Sequence, residues 1–135
     1  MSYRRPFELI RRDIALAGQA GDLRVSMPLE DFVELVKSLI ATIPFDQEWY
    51  LASYDDIAEE IAQGMFSSAQ EHFVEKGYFE SRLPSSPAVD EAWYLRTYTD
   101  VAASIEQGVV DSGYEHYLRN GYKEGRQPGP LARAP

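Results

Sequence analysis

Cysteine is absent from this 135-residue chain, which excludes a disulfide framework, a thiolate zinc site and a cysteine nucleophile. Histidine is scarce, with His72 and His116 the two examples. Long apolar runs are missing as well. No stretch approaches the roughly 18 residues a membrane span requires, and the basic start MSYRRPFELIRRD leads into no apolar run of signal-peptide length. These features predict a cytoplasmic chain without membrane insertion. Positive charge is thin: 13 Lys and Arg stand against 22 Asp and Glu, for a net charge of −9. A surface so acidic repels phosphate backbones, so nucleic acid is not expected as a partner.

What charge there is lies unevenly. Residues 1 to 24 carry Arg4, Arg5, Arg11, Arg12 and Arg24 against three acids, whereas residues 45 to 84 hold nine acids against Lys76 and Arg82. The length suits one compact domain, and the acidic stretch marks one pole of it.

The chain also contains a duplication. FDQEWYLASYDDIAEEIAQG and VDEAWYLRTYTDVAASIEQG are offset by 44 residues, and Asp46–Pro84 laid on Asp90–Pro128 without gaps is identical at 18 of 39 positions. Each copy opens on an aspartate, Asp46 or Asp90, placed to cap a short helix that carries Trp49-Tyr50-Leu51 or Trp93-Tyr94-Leu95. Asp55-Asp56 and Thr99-Asp100 read as a second cap, ahead of Ile57/Ile61 and Val101/Ile105 at the i, i+4 spacing of one helical face. Gly64 and Gly108 end that helix. Ser68-x-x-Glu71 and Ser112-x-x-Glu115 read as capping boxes, each glutamate reaching back to its serine amide. They open a third helix that Gly77 or Gly121 stops, and a coil Tyr-x-Glu-x-Arg-x-Pro closes each copy.

Upstream, Pro28 to Thr42 predicts a strong amphipathic helix with the stripe Phe32, Leu35, Val36, Leu39 and Ile40 buried. Arg4 to Ala17 predicts a weaker helix, with Phe7, Ile10 and Ile14 at helical spacing and Gly18 as its stop. Gly18 to Arg24 reads as a loop, with Leu23 to Ser26 open to a short extended form. The expected fold is all-α: a small helical bundle or short solenoid of two tandem three-helix repeats, residues 45–84 and 89–128. An N-terminal helical segment, 1–44, serves for capping or oligomerisation, and a tail, 129–135, follows. The apolar arm and the opposite charges of arm and repeat predict a homodimer.

Candidate functional residues are few. His72 and His116 sit beside Glu71 and Glu115, but the spacing is not that of the helical zinc motif HExxH, and a core-edge histidine making one hydrogen bond is the simpler reading. Trp49, Tyr50, Trp93 and Tyr94 can serve as stacking platforms for an oligosaccharide or can bury the repeat's own helices. Arg82 and Arg126 pair locally with Glu80 and Glu124, or form a polar ligand-binding edge. No nucleophile elbow, phosphate-binding glycine loop or EF-hand spacing occurs, so no catalytic, cofactor-binding or metal-binding residue is expected, and no enzyme.

The pattern D-x-x-W-Y-L-x-x-Y-x-D-V-A followed by H-Y/F-x-x-x-G-Y-x-E-G/S-R-x-P resembles short helical repeats of bacterial surface-polysaccharide synthesis proteins, often found beside glycosyltransferase domains. It is carried by Asp90, Trp93, Tyr94, Leu95, Tyr98, Asp100, Val101, Ala102, His116, Tyr117, Gly121, Tyr122, Glu124, Gly125, Arg126 and Pro128 and their counterparts 44 residues earlier, with Ile57 and Ser81 as departures. The resemblance implies a non-catalytic accessory role beside glycan-synthesis enzymes, with a protein partner drawn from them.

Overall fold

A computed structural model of the chain describes Glu8, residues 15–18 and residues 21–131. Within these the protein is predominantly helical. It divides into two compact units, Met1–Ile43 and Pro44–Pro135.

In the first unit, strand β1 (Ala15–Ala17) pairs antiparallel with β2 (Arg24–Ser26), Leu16 opposite Val25. The helix expected over Arg4 to Ala17 is therefore corrected at its C-terminal end, which is strand; of the remainder, Glu8 is helical and the other residues lie outside the described ones. Glycine explains the difference. Gly18 and Gly21 have φ of 110° and 93°, and a Cβ at Gly18 would strike the Asp22 carbonyl, so the chain reverses here through a turn that side chains resist. Helix α1 (Leu29–Ile40) follows, with Pro28 at its N-cap and no side-chain cap bond; Glu30 and Asp31 complement the first turn and Lys37 the last. The stripe on α1 is buried only in part. Ile40 is buried and Leu35 and Val36 are half-buried, but Phe32 and Leu39 are 51% and 63% exposed.

In the second unit the two sequence copies carry the same elements. Helices α2 (Gln47–Ser53), α3 (Asp56–Ala62) and α4 (Ala69–His72) are followed by a π-helical turn, Phe73–Gly77. Helices α5 (Glu91–Thr97), α6 (Thr99–Glu106) and α7 (Gly113–His116) are followed by the π turn Tyr117–Gly121. Asp46 and Asp90 cap α2 and α5 by accepting from Trp49 and Trp93 amides at 3.0 and 3.1 Å. Gly64 and Gly108 adopt φ of 77° and 73°, and the next residues donate back to Glu60 and Ser104 carbonyls, the pattern of a Schellman stop.

Three sequence readings need correction. Asp55 and Tyr98 occupy the N-cap positions of α3 and α6, and neither makes a side-chain cap bond; Asp56 and Asp100 are engaged elsewhere, as described below. Ser68 and Ser112 do cap α4 and α7, yet Glu71 and Glu115 reach one residue further back, to the Ser67 and Asp111 amides. Gly77 and Gly121 are not left-handed stops. The chain continues right-handed through Tyr78 and Tyr122, and positive φ comes later, at Ser81 (63°) and Gly125 (75°).

Each copy has a buried tyrosine at its centre. Tyr50 is enclosed with Ile57, Phe73 and His72, with Phe45 at 5.0 Å between ring centroids; Tyr94 is enclosed with Val101, Tyr117 and His116. Each copy is also tied into a loop, because the Asp46 amide donates to the Pro84 carbonyl and the Asp90 amide to the Pro128 carbonyl, at 3.0 and 2.9 Å. Leu83, from the closing coil of the first copy, packs against the Tyr94–Val101–Tyr117 cluster of the second.

Candidate functional site

Helix α2 places Tyr50 inward and α4 places His72 opposite it, so that Tyr50 Oη and His72 Nδ1 meet at 2.9 Å; Tyr94 and His116 repeat the bond at the same distance. Both tyrosines have 0% exposure, so neither presents a ring face to a ligand, which corrects their reading as stacking platforms. Burial pushes both phenols up, Tyr94 to about 12 and Tyr50 further. The tyrosines have no room to relax: a Cβ at Gly77 or Gly121 would collide with their hydroxyls.

The second constellation spans the closing coil. Arg82 grips Asp56 with both terminal guanidinium nitrogens, at 2.9 and 2.8 Å, and donates through Nε to Glu80 at 3.0 Å. Arg126 does the same with Asp100, at 2.9 and 2.7 Å, and with Glu124 at 2.6 Å. Each guanidinium lies over a tyrosine ring, Tyr54 or Tyr98, at 5.0 and 4.9 Å. The phenols of those tyrosines accept from the Leu83 and Gln127 amides at 2.9 Å. Fork-to-fork pairing holds the Asp56 and Asp100 carboxyls below the usual carboxylate range and lifts both arginines above theirs. Sequence reasoning found the local glutamate partners and missed the aspartates, 26 residues away. The available signal was their retention with tyrosine and arginine in both copies.

Trp49 and Trp93 are half-buried and meet Tyr54 and Tyr98 edge-on, at 6.1 Å in each copy. Tryptophan, tyrosine and arginine therefore form one layered unit, built twice. Between the copies runs an open, polar cleft of about 440 Å³, lined by Ser53, Tyr54, Asp55, Glu80 and Arg82 of the first and by Leu118 and Lys123 of the second. Among the described residues, no cluster of three or more His, Asp or Glu side chains could hold a metal ion, and no helix is long and apolar enough to cross a membrane.

No protein-family model, curated protein or solved structure matches the chain. The two copies remain each other's standard of comparison. They agree in the Tyr–His bond and the Arg–Asp–Glu–Tyr strap, and differ at positions beside them. Glu60 is replaced by Ser104, Leu83 by Gln127 and Phe79 by Lys123.

Proposed function

We propose that the protein is a non-catalytic interaction or scaffold module, in which the two copies stack as a short solenoid and the acidic first copy meets a protein partner. The observation that carries this reading is where the motif residues are spent. Tyrosine, histidine, arginine and aspartate are consumed in matched bonds inside each copy, so the duplication preserves a shape, while the outer surface differs between copies. The exposed acids Glu48 and Glu59, with Tyr78 and Phe79 37% and 45% exposed, favour a partner with a basic, partly apolar face. The motif's resemblance puts that partner among bacterial glycan-synthesis enzymes. Co-purification from the native host at low salt tests it. Wild-type chain is expected to retain a protein that Glu48→Lys with Glu59→Lys releases; capture that is absent, or indifferent to charge reversal, removes the proposal.

A second reading, an oligosaccharide-binding module, is favoured by the half-buried Trp49 and Trp93 and by a polar cleft whose wall includes Tyr54, the edge-on neighbour of Trp49. Tryptophan emission titrated with bacterial oligosaccharides decides it: a shift on addition, lost in Trp49→Phe with Trp93→Phe, supports binding, and an unperturbed spectrum excludes it.

A further inference from the structure

We propose that Tyr50, His72 and Glu60 form a proton-operated lock on the first copy that the second copy lacks. His72 is 1% exposed, with Nδ1 2.9 Å from Tyr50 Oη and Nε2 3.6 Å from Glu60 Oε2. That carboxylate oxygen is itself buried and has no hydrogen-bond partner. Phe66 closes the pocket edge-on, its centroid 4.9 Å from the imidazole. Three helices meet here, α2 through Tyr50, α3 through Glu60 and α4 through His72.

The donors and acceptors dictate the neutral state. A carboxylate only accepts and a neutral imidazole carries one N–H, so the proton belongs on Nε2, aimed at Glu60, while Tyr50 donates to Nδ1. A second proton must enter at Nδ1, where it meets the Tyr50 oxygen. The phenol then has to accept instead of donate, and its own proton loses its acceptor in a closed pocket. At the same time the new imidazolium draws Glu60 inward across the 3.6 Å gap. Protonation thus reverses the α2–α4 bond, strands the Tyr50 phenol proton without an acceptor, and tightens the α3–α4 contact.

The charges around His72 set the direction. Burial, and then Arg82, oppose the imidazolium, while Glu60, Glu80 and Asp56 favour it. Glu80 and Asp56 are already held by Arg82, and Glu71, on the same helix, is bonded to Ser67. Glu60 is left as the carboxylate free to respond. The balance keeps His72 below its ordinary 6.5, so the stability contributed by the neutral form is complete above that pH and is lost as pH falls below it toward the folded-state value. In the second copy Ser104 stands at the Glu60 position, and its hydroxyl donates to the Asp100 carbonyl at 3.0 Å. No carboxylate is there to be drawn in.

Side-chain ¹⁵N spectra and amide exchange of the full chain, between about pH 7.5 and about pH 5.5, test the lock. The expected results are an Nε2–H tautomer for His72 at the higher pH, a titration midpoint below 6.5, and a rise of about tenfold in opening at Tyr50, Ile57 and Phe73 beyond that at Tyr94, Val101 and Tyr117. Glu60→Gln keeps an acceptor for Nε2–H, so the copy still folds, and should lower the His72 midpoint further. An Nδ1–H tautomer at neutral pH, a midpoint unmoved by Glu60→Gln, or equal opening of both copies on acidification would overturn the proposal.

Discussion

At Gly77 and Gly121 a methyl group would run into the hydroxyl of a buried tyrosine, a hydroxyl already pinned to a histidine. Glycine to alanine inside a helix ordinarily gains about 0.5–1 kcal/mol. Here the sign reverses: Gly77→Ala is expected to cost about 1–3 kcal/mol, because neither Tyr50 nor the π turn can yield without breaking the Tyr50–His72 bond. Four residues on, the copies differ in the opposite sense. Gly125 takes its φ of 75° freely, whereas Ser81 holds 63° with a side chain attached. Ser81→Gly should therefore add about 1 kcal/mol, and Gly125→Ser should remove a similar amount. Urea titrations of these variants check both signs, and a destabilised Ser81→Gly would show that the serine makes a compensating contact.

The strap from closing coil to α3 or α6 is the element-scale device common to both copies. Arg82 is mostly buried while Asp56 is half exposed, so the pair is worth more than an open surface bridge and less than a buried one. Arg82→Lys keeps the charge and loses the fork, and should cost about 1 kcal/mol; Arg82→Ala, which also uncovers Tyr54, about 2 kcal/mol. A double-mutant cycle with Asp56→Asn isolates the pair. Because Asp56 and Asp100 titrate below their ordinary 3.8, their contribution is present above that pH and disappears as pH falls through the lower folded-state values, so the penalty of Arg82→Lys should shrink there. The caps at Asp46, Asp90, Ser68 and Ser112 and the stops at Gly64 and Gly108 were legible because each is decided within a few residues. The Tyr50–His72 bond spans 22 residues and the Arg82–Asp56 fork 26, so neither leaves a local pattern; only their parallel retention hinted at them. The hairpin at Ala15–Ala17 was misread because three apolar residues fit either period, and the turn chemistry of Gly18 and Gly21 decided the matter.

For the whole molecule, the two units pose separate questions. In Pro44–Pro135 the copies are joined by Leu83, which fills part of the second copy's core, and the equivalent Gln127 is polar and exposed. Leu83→Gln should cost about 1–2 kcal/mol and loosen Tyr94 and Val101 in hydrogen exchange, while Gln127→Leu, adding apolar surface to an open end, should leave those amides unchanged. In Met1–Ile43 the outstanding feature is what α1 leaves in water: Leu29, Phe32 and Leu39 are 74%, 51% and 63% exposed, and Leu23 and Val25 on the hairpin side are above half. Large apolar side chains concentrated on one short segment mark a contact surface more often than a free one. A second copy of the chain is the partner we propose, since the arginine-rich segment before α1 is opposite in charge to the acidic first repeat. A twofold dimer through this segment is the expected state. Sedimentation equilibrium at tens of micromolar should return a dimer for the full chain and a monomer for Phe32→Asp with Leu39→Asp, with the Tyr–His signals of the second unit unchanged between them. A full-length monomer ends the idea; a dimer indifferent to both substitutions moves the interface onto the repeats, where Tyr78 and Phe79 become the residues to change.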